Sequence, residues 1–107
     1  MPQRIVYVST LEPHVSQDDI AALVDEAAVF NKAHGITGVL VLEERRVCQI
    51  LEGPEAAVKA LFRSIGKDPR HTGVTEIVNV PIDAVTFDDW GMVRRRMVDM
   101  VISAFAL

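Results

Sequence analysis

The sequence predicts one α+β domain in which two helices pack on one face of a mostly antiparallel sheet. Its 107 residues are enough for a single domain, and 50% of them are hydrophobic, which excludes a disordered chain. Short runs of β-branched and aromatic residues alternate with two longer segments of helical periodicity. These observations together predict strands and helices that share one hydrophobic core.

The first part of the chain predicts a strand and a helix. Residues 5–9 are mostly β-branched or aromatic, as expected of a strand. Ser16 is a suitable N-cap for a helix over residues 17–33, because apolar residues follow it at helical spacing. Gly35 stands just past the end of that helix, where glycine is favoured.

A hairpin and a second helix follow. Residues 36–42 and residues 47–52 flank a charged turn, and they predict the second and third strands. The second helix opens at Gly53-Pro54, because proline is tolerated in a first helical turn. It ends at Asp68-Pro69, because the residue before a proline is disfavoured in the helical conformation.

The remaining residues predict two more strands and a tail. The strands are residues 74–80 and residues 87–93, and the tail over residues 94–107 is either a short helix or an extended edge. The order β-α-β-β-α-β is that of the ferredoxin-like fold, here with an extra C-terminal strand and a short tail. This fold serves many functions, so it does not by itself name one.

Composition and motifs exclude several classes of function. The net charge of −4 at pH 7 argues against nucleic-acid binding, which needs positive charge. The chain begins without an apolar signal region, and no apolar run approaches the about 20 residues that cross a membrane. The single Cys48 fits a reducing compartment, so we expect a cytoplasmic protein. The histidines lack metal-ligand spacing, and no glycine-rich phosphate loop or nucleophile elbow is present.

Three polar side chains fall on faces that the pattern makes apolar. Asn31 continues the buried stripe of the first helix, Gln49 stands between apolar neighbours in the third strand, and Tyr7 lies in the first strand. The Gln49 amide is a candidate partner for the Tyr7 hydroxyl if their strands are adjacent, and we expect them to be adjacent and parallel. The plainer interpretations are that Asn31 caps the helix end, that Gln49 bonds to backbone or water, and that Tyr7 only packs.

Two further pairs carry a weaker signal. Trp90 and Met92 share a face of the predicted fifth strand, where ordinary packing is the simplest interpretation. Arg70 and His71 follow the second helix, where they either bind an anion or stay in a solvated turn. The residues alone therefore indicate a ferredoxin-like domain with a polar cluster.

Five short motifs stand in one order along the chain. They are Ile5-Val6-Tyr7-Val8-Ser9, Asn31-Lys32-Ala33-His34-Gly35-Ile36-Thr37-Gly38, Gln49-Ile50-Leu51-Glu52-Gly53, Asp68-Pro69-Arg70-His71 and Trp90-Gly91-Met92. In this order and spacing they resemble the BLUF family, flavin-based sensors of blue light, over residues 4–93. The motif that begins at Gln49 is the most specific of the five.

The resemblance implies a photoreceptor that binds FAD non-covalently, with the isoalloxazine ring between the two helices. It implies that Tyr7 donates an electron and a proton to the excited flavin, and that Gln49 then changes its hydrogen bonds. Asn31 would hold the polar edge of the flavin. The other implied cofactor contacts are Leu23, Ile65, Asp68, Arg70 and His71, and the residues implied to couple the pocket to the last strand are Trp90 and Met92.

The same resemblance implies a photosensor domain over residues 1–93, followed by a tail over residues 94–107 that is a short helix or a subunit contact. We expect no enzymatic turnover, an unidentified downstream protein partner and self-association. The sequence departs from the family in two stretches. Ala27-Ala28-Val29-Phe30 replaces the polar residues, often Ser and Arg, that commonly precede the Asn, and Phe30 in particular is more apolar than expected. Gly91 replaces the usual Ser of the last motif.

Two other functions are compatible with the same fold. A small acyl-phosphate hydrolase would need an Arg in the loop after the first strand, and residues 9–14 contain none, so we set it aside. The second alternative is a flavin-free ferredoxin-like module for protein interaction. The joint presence of Tyr7, Asn31 and Gln49 argues against it, and failure to bind flavin would restore it.

Overall fold

A computed structural model of the chain describes residues 1–85. In these residues the elements are β1 (Pro2–Leu11), α1 (Gln17–Ala33), β2 (Thr37–Glu43), β3 (Arg46–Pro54), α2 (Glu55–Lys67) and β4 (His71–Pro81). The predicted ferredoxin-like order is therefore confirmed. The predicted fifth strand with Trp90 and Met92, and the tail over residues 94–107, lie outside the described residues.

Local signals set the ends of both helices. Ser16 and Asp19 form a reciprocal capping box, in which the Ser16 hydroxyl accepts from the Asp19 backbone and the Asp19 carboxylate accepts from the Ser16 backbone. Gly35, just beyond α1, has a φ of 69° that glycine adopts without strain. The second helix was predicted to open at Gly53-Pro54, but these two residues end β3, extended Pro54 is the N-cap, and α2 begins at Glu55. Asp68 is extended too, as its position before a proline requires.

The sheet has the order β2-β3-β1-β4, and each neighbouring pair in it is antiparallel. The prediction that β1 and β3 are adjacent is confirmed, but the prediction that they are parallel is wrong. The crossover through α1 gives β1 and β2 the same direction, and the hairpin then returns β3 between them, so β3 runs opposite to both. The antiparallel register places Tyr7 directly opposite Gln49.

The sheet buries apolar side chains on both faces. The face toward the helices packs Ile5, Tyr7 and Leu51 against Ile20 of α1 and Val58 of α2. A second cluster on the opposite face consists of Val6, Val39, Val41, Cys48 and Ile50. Within residues 1–85, no helix has the length and hydrophobicity needed to cross a bilayer.

Candidate functional site

A cavity of about 320 Å³ lies between the two helices and the sheet face that they cover. This volume is at the lower end of the about 300–1,000 Å³ typical of small-molecule pockets. Its walls are mainly aliphatic, with Leu23 from α1 and Ile65 from α2 on the helical side. The rest of the lining carries polar groups, which come from Tyr7, Glu26, Asn31, Gln49, Ser64, Asp68, Arg70 and His71. Aliphatic walls with several polar groups suit an organic ligand that has polar edges.

Tyr7 and Gln49 form the polar part of the sheet side of the cavity. The Tyr7 hydroxyl donates a 2.5 Å hydrogen bond to Gln49 Oε1, and both side chains are buried. The ring of Phe62, on α2, packs against the Tyr7 ring at a centroid distance of 5.6 Å and an angle of 49°. Burial raises the pKa of Tyr7, and the nearby Cys48 and Asp68 raise it further. Tyr7 is therefore a neutral hydrogen-bond donor at neutral pH.

Asn31 brings an unsatisfied amide to the same cavity. The residue is 1% exposed, and neither Oδ1 nor Nδ2 of its side chain has a hydrogen-bond partner among the described residues. Only its backbone carbonyl takes part in the helix end, where it accepts from the backbone of Ile36 and His34. The interpretation of the Asn31 side chain as a helix cap is therefore wrong. A buried unpaired amide costs about 1–3 kcal/mol, so a ligand with its own donor and acceptor would stabilise this site.

The connection from α2 to β4 supplies two of the charged side chains of the cavity, Asp68 and Arg70, and α1 supplies Glu26. Arg70 donates to both carboxylate oxygens of Asp68, with Nη2 2.7 Å from Oδ2, and its Nη1 lies 3.5 Å from Oε2 of Glu26 on α1. Arg70 holds the pKa of Asp68 below its ordinary value. The sequence predicted either an anion contact or a solvated turn for Arg70. Neither alternative included its ion pairs with Asp68 and Glu26.

His71 lies on the sheet rather than in a turn, because β4 begins three residues earlier than predicted. Its Nδ1 is 2.8 Å from the hydroxyl oxygen of Ser9 on β1. Burial lowers the pKa of His71, Arg70 lowers it further, and Asp68 opposes this shift. His71 is therefore a neutral polar group at the edge of the cavity at neutral pH.

The cavity brings together the eight residues that the resemblance implies as cofactor contacts. These are Tyr7, Leu23, Asn31, Gln49, Ile65, Asp68, Arg70 and His71. Three more residues contact members of this set and were not predicted as site residues: Ser9, Glu26 and Phe62. Two signals were available: Ser9 shares a strand face with Tyr7 by the period of two, and Phe62 belongs to the buried stripe of the second helix. Among residues 1–85, no three His, Cys, Asp or Glu side chains are grouped to hold a metal ion.

The fold and the cavity define a ferredoxin-like domain with a small-molecule site. The family model described as "BLUF: Sensors of blue-light using FAD" matches residues 3–93. The chain therefore belongs to the BLUF family, and the family resemblance drawn from the five motifs is confirmed.

Curated relatives and solved structures agree with this assignment. Photoactivated adenylate cyclase subunit beta of Euglena gracilis is 36% identical over 78 residues, which are 73% of this chain and 9% of that protein. The blue light- and temperature-regulated antirepressor BluF of Escherichia coli (strain K12) is 32% identical over 88 residues, 82% of this chain and 22% of that protein. The dark-state structure of BlrB, a BLUF protein, matches with a TM-score of 0.79 at 34% identity, over 85% of this chain and 69% of that one. The chain thus spans less than a quarter of the length of either curated relative.

Proposed function

We propose that the chain is a blue-light photoreceptor that binds FAD non-covalently in this cavity, with Tyr7 and Gln49 as its switch. The observation that carries the proposal is the 2.5 Å hydrogen bond between these two side chains inside the cavity. The photosensor would comprise residues 1–93. A downstream protein, or self-association of the chain, would read its state.

The residues present fit a flavin. Asn31 offers an unpaired donor and an unpaired acceptor, which match the amide-like edge of the flavin ring system. Leu23 and Ile65 offer aliphatic contacts from the two helices, as an aromatic ring system requires. Arg70, between Asp68 and Glu26, provides a cation at the same cavity for a phosphate group.

Bound flavin supplies the absorption of blue light and an excited state that is a strong oxidant. Tyr7 keeps its proton in the dark, because burial raises its pKa above the ordinary value of a phenol. A phenol that loses an electron becomes strongly acidic, so Tyr7 Oη then releases its proton. The hydrogen-bond acceptor already in place for that proton is Gln49 Oε1.

Gln49 converts this event into a change of hydrogen bonds. Its amide has an acceptor, Oε1, and a donor, Nε2. Rotation or tautomerisation of the amide would therefore place a donor instead of an acceptor next to Tyr7. Gln49 also pairs with Leu40 on β2 and with Tyr7 on β1 through the register of the sheet. A change at Gln49 therefore begins at the centre of the sheet, and Trp90 and Met92 are proposed to carry it onward.

The test is an absorption spectrum of the purified protein, reconstituted with FAD, before and after blue light. We expect the flavin band to shift slightly to the red and to return in the dark. Tyr7→Phe should retain FAD and lose the shift, whereas Thr10→Val, which removes an exposed hydroxyl of the same strand, should retain both. A protein that takes up no FAD overturns the proposal in favour of the flavin-free module. FAD uptake without any shift overturns the switch.

A further inference from the structure

We propose that Phe30 and His34 form a stacking platform for the adenine base of FAD, so that the chain binds FAD more tightly than FMN or riboflavin. This inference rests on the proposed function, because it concerns the part of the cofactor outside the cavity. Phe30 is also the most apolar of the four residues, 27–30, that replace the polar residues common in the family.

The two aromatic rings are stacked at the edge of the cavity. Phe30 lines the cavity and is 43% exposed, so part of its ring faces solvent at the edge of the cavity. The His34 ring lies against it with a centroid distance of 4.0 Å and an angle of 19°. The His34 Nδ1 is 2.7 Å from the backbone oxygen of Phe30, which fixes the imidazole in this position. Phe30 is thus a rigid aromatic surface that is still accessible to a ligand.

This platform lies on a path out of the cavity. Glu26 and Phe30 lie four residues apart on one face of α1, about 6 Å from each other along its axis, and His34 follows at the C-cap, where its ring stacks on Phe30. The Arg70 guanidinium lies beside the first of them, 3.5 Å from the Glu26 carboxylate. A dinucleotide that leaves the cavity along this face meets a cation first and an aromatic surface next. The exposed Glu26 carboxylate can turn into water when a phosphate takes its place beside Arg70.

The chemistry of the two groups selects a base rather than a sugar or a phosphate. A purine stacks on any aromatic face, and removal of such a face typically weakens binding by about tenfold. A cavity of about 320 Å³ has room for the flavin ring but not for a second heterocycle, which must therefore lie on the surface. FMN and riboflavin carry no base, so they cannot use the platform.

The test is a titration of the flavin-free protein with FAD, FMN and riboflavin, followed by flavin fluorescence. We expect the wild type to bind FAD about tenfold more tightly than FMN. Phe30→Ala should remove this preference by weakening FAD alone, and Phe30→Trp should retain it. Val29→Ala, an exposed apolar neighbour outside the cavity, should leave all three affinities unchanged.

Three results would overturn the platform. They are equal affinities of the wild type for the three flavins, a preference for FAD that survives in Phe30→Ala, and an equal loss for all three flavins in that variant. The last result would mean that Phe30 acts on the flavin ring in the cavity or on the end of α1, and not on the adenine base. If Phe30→Ala does not fold, His34→Ala provides the same comparison, because it removes the ring behind Phe30. Failure of the wild type to bind any flavin would instead overturn the proposed function.

Discussion

The Tyr7 hydroxyl and the Gln49 amide meet across the antiparallel pair of β1 and β3, where the two residues are direct partners in the register. Both strands have a neighbour on each side, β4 for β1 and β2 for β3. Directly opposed residues of an antiparallel pair have Cβ atoms about 4.5–5.5 Å apart, so these two side chains meet without help from a loop. The hydrogen bond is therefore a property of the folded sheet that exists before any ligand binds.

Gln49→Leu should lower stability and abolish the photoresponse. It leaves the buried Tyr7 hydroxyl without its acceptor, which costs about 1–3 kcal/mol in the free energy of unfolding. Gln3→Leu is a matched control, because Gln3 is also buried and also forms a side-chain hydrogen bond, to Asn79, outside the cavity. Urea unfolding and spectra before and after light would measure both effects. A light-induced shift that persists in Gln49→Leu would contradict the role of this residue.

Asn31→Leu should have opposite effects on stability and on flavin binding. Leucine has the same number of side-chain heavy atoms in the same branched arrangement and no polar atom to leave unpaired, so the flavin-free protein should become more stable by about 1–3 kcal/mol. FAD affinity should fall about tenfold or more, since hydrogen bonds to the ligand are lost. Lys32→Ala, at the exposed neighbouring position, should change neither quantity. Destabilisation of the flavin-free protein, with unchanged affinity for FAD, would show that the amide serves the fold instead.

Much of the fold could be predicted because its signals are local. The helix over residues 17–33 has the predicted bounds, since the N-cap Ser16 and the glycine after the last turn both act within a few residues. The lengths of β1, β3 and β4 were underestimated, and β1 extends from Pro2 to Leu11 rather than over residues 5–9. The hydrogen bonds between strands are made by the backbone, so a strand can continue through polar residues that a hydrophobic pattern does not identify. The direction of β3 was predicted wrongly, because it depends on how many times the chain reverses between distant strands.

In the candidate site, too, the residues with local signals could be predicted, and the contacts between distant residues could not. Strand and helix periodicity was sufficient to turn Gln49 and Asn31 toward the core, and family motifs supplied the remaining predicted contacts. The contact between Ser9 and His71 was missed, because it joins residues 62 positions apart in the sequence. It also depends on an irregular register between β1 and β4, with a shift between Val8 and Thr10. Bulges of this kind leave no pattern in a single sequence.

Two glycines should respond to alanine in opposite directions. A Cβ atom on Gly38, in β2, would lie 1.9 Å from the backbone oxygen of Ile50, which cannot move without breaking the ladder with β3. We expect Gly38→Ala to lower the free energy of unfolding by about 3 kcal/mol or to prevent folding. Gly66, in α2, has open space around its Cβ position, so Gly66→Ala should raise stability by about 0.5–1 kcal/mol. Urea unfolding measures both, and similar changes in the two variants would contradict the close packing of β2 on β3.

The buried His71 should make the stability of the flavin-free protein depend on pH between 7.5 and 5.5. Burial lowers the pKa of His71 below its ordinary value of 6.5, so the unfolded chain takes up a proton there before the folded chain does. Its contribution is therefore fully present above pH 6.5 and is lost as the pH falls toward the lower pKa of the folded state.

His71→Gln can keep a hydrogen bond to Ser9 and does not titrate, so its free energy of unfolding should fall less across this range than that of the wild type. Asp68 does not interfere with the comparison, because Arg70 lowers the pKa of Asp68 from an ordinary value of 3.8 that is already below the range. Urea unfolding at the two pH values gives the difference directly. Equal losses in wild type and variant would mean that His71 is as well solvated in the folded protein as in the unfolded chain.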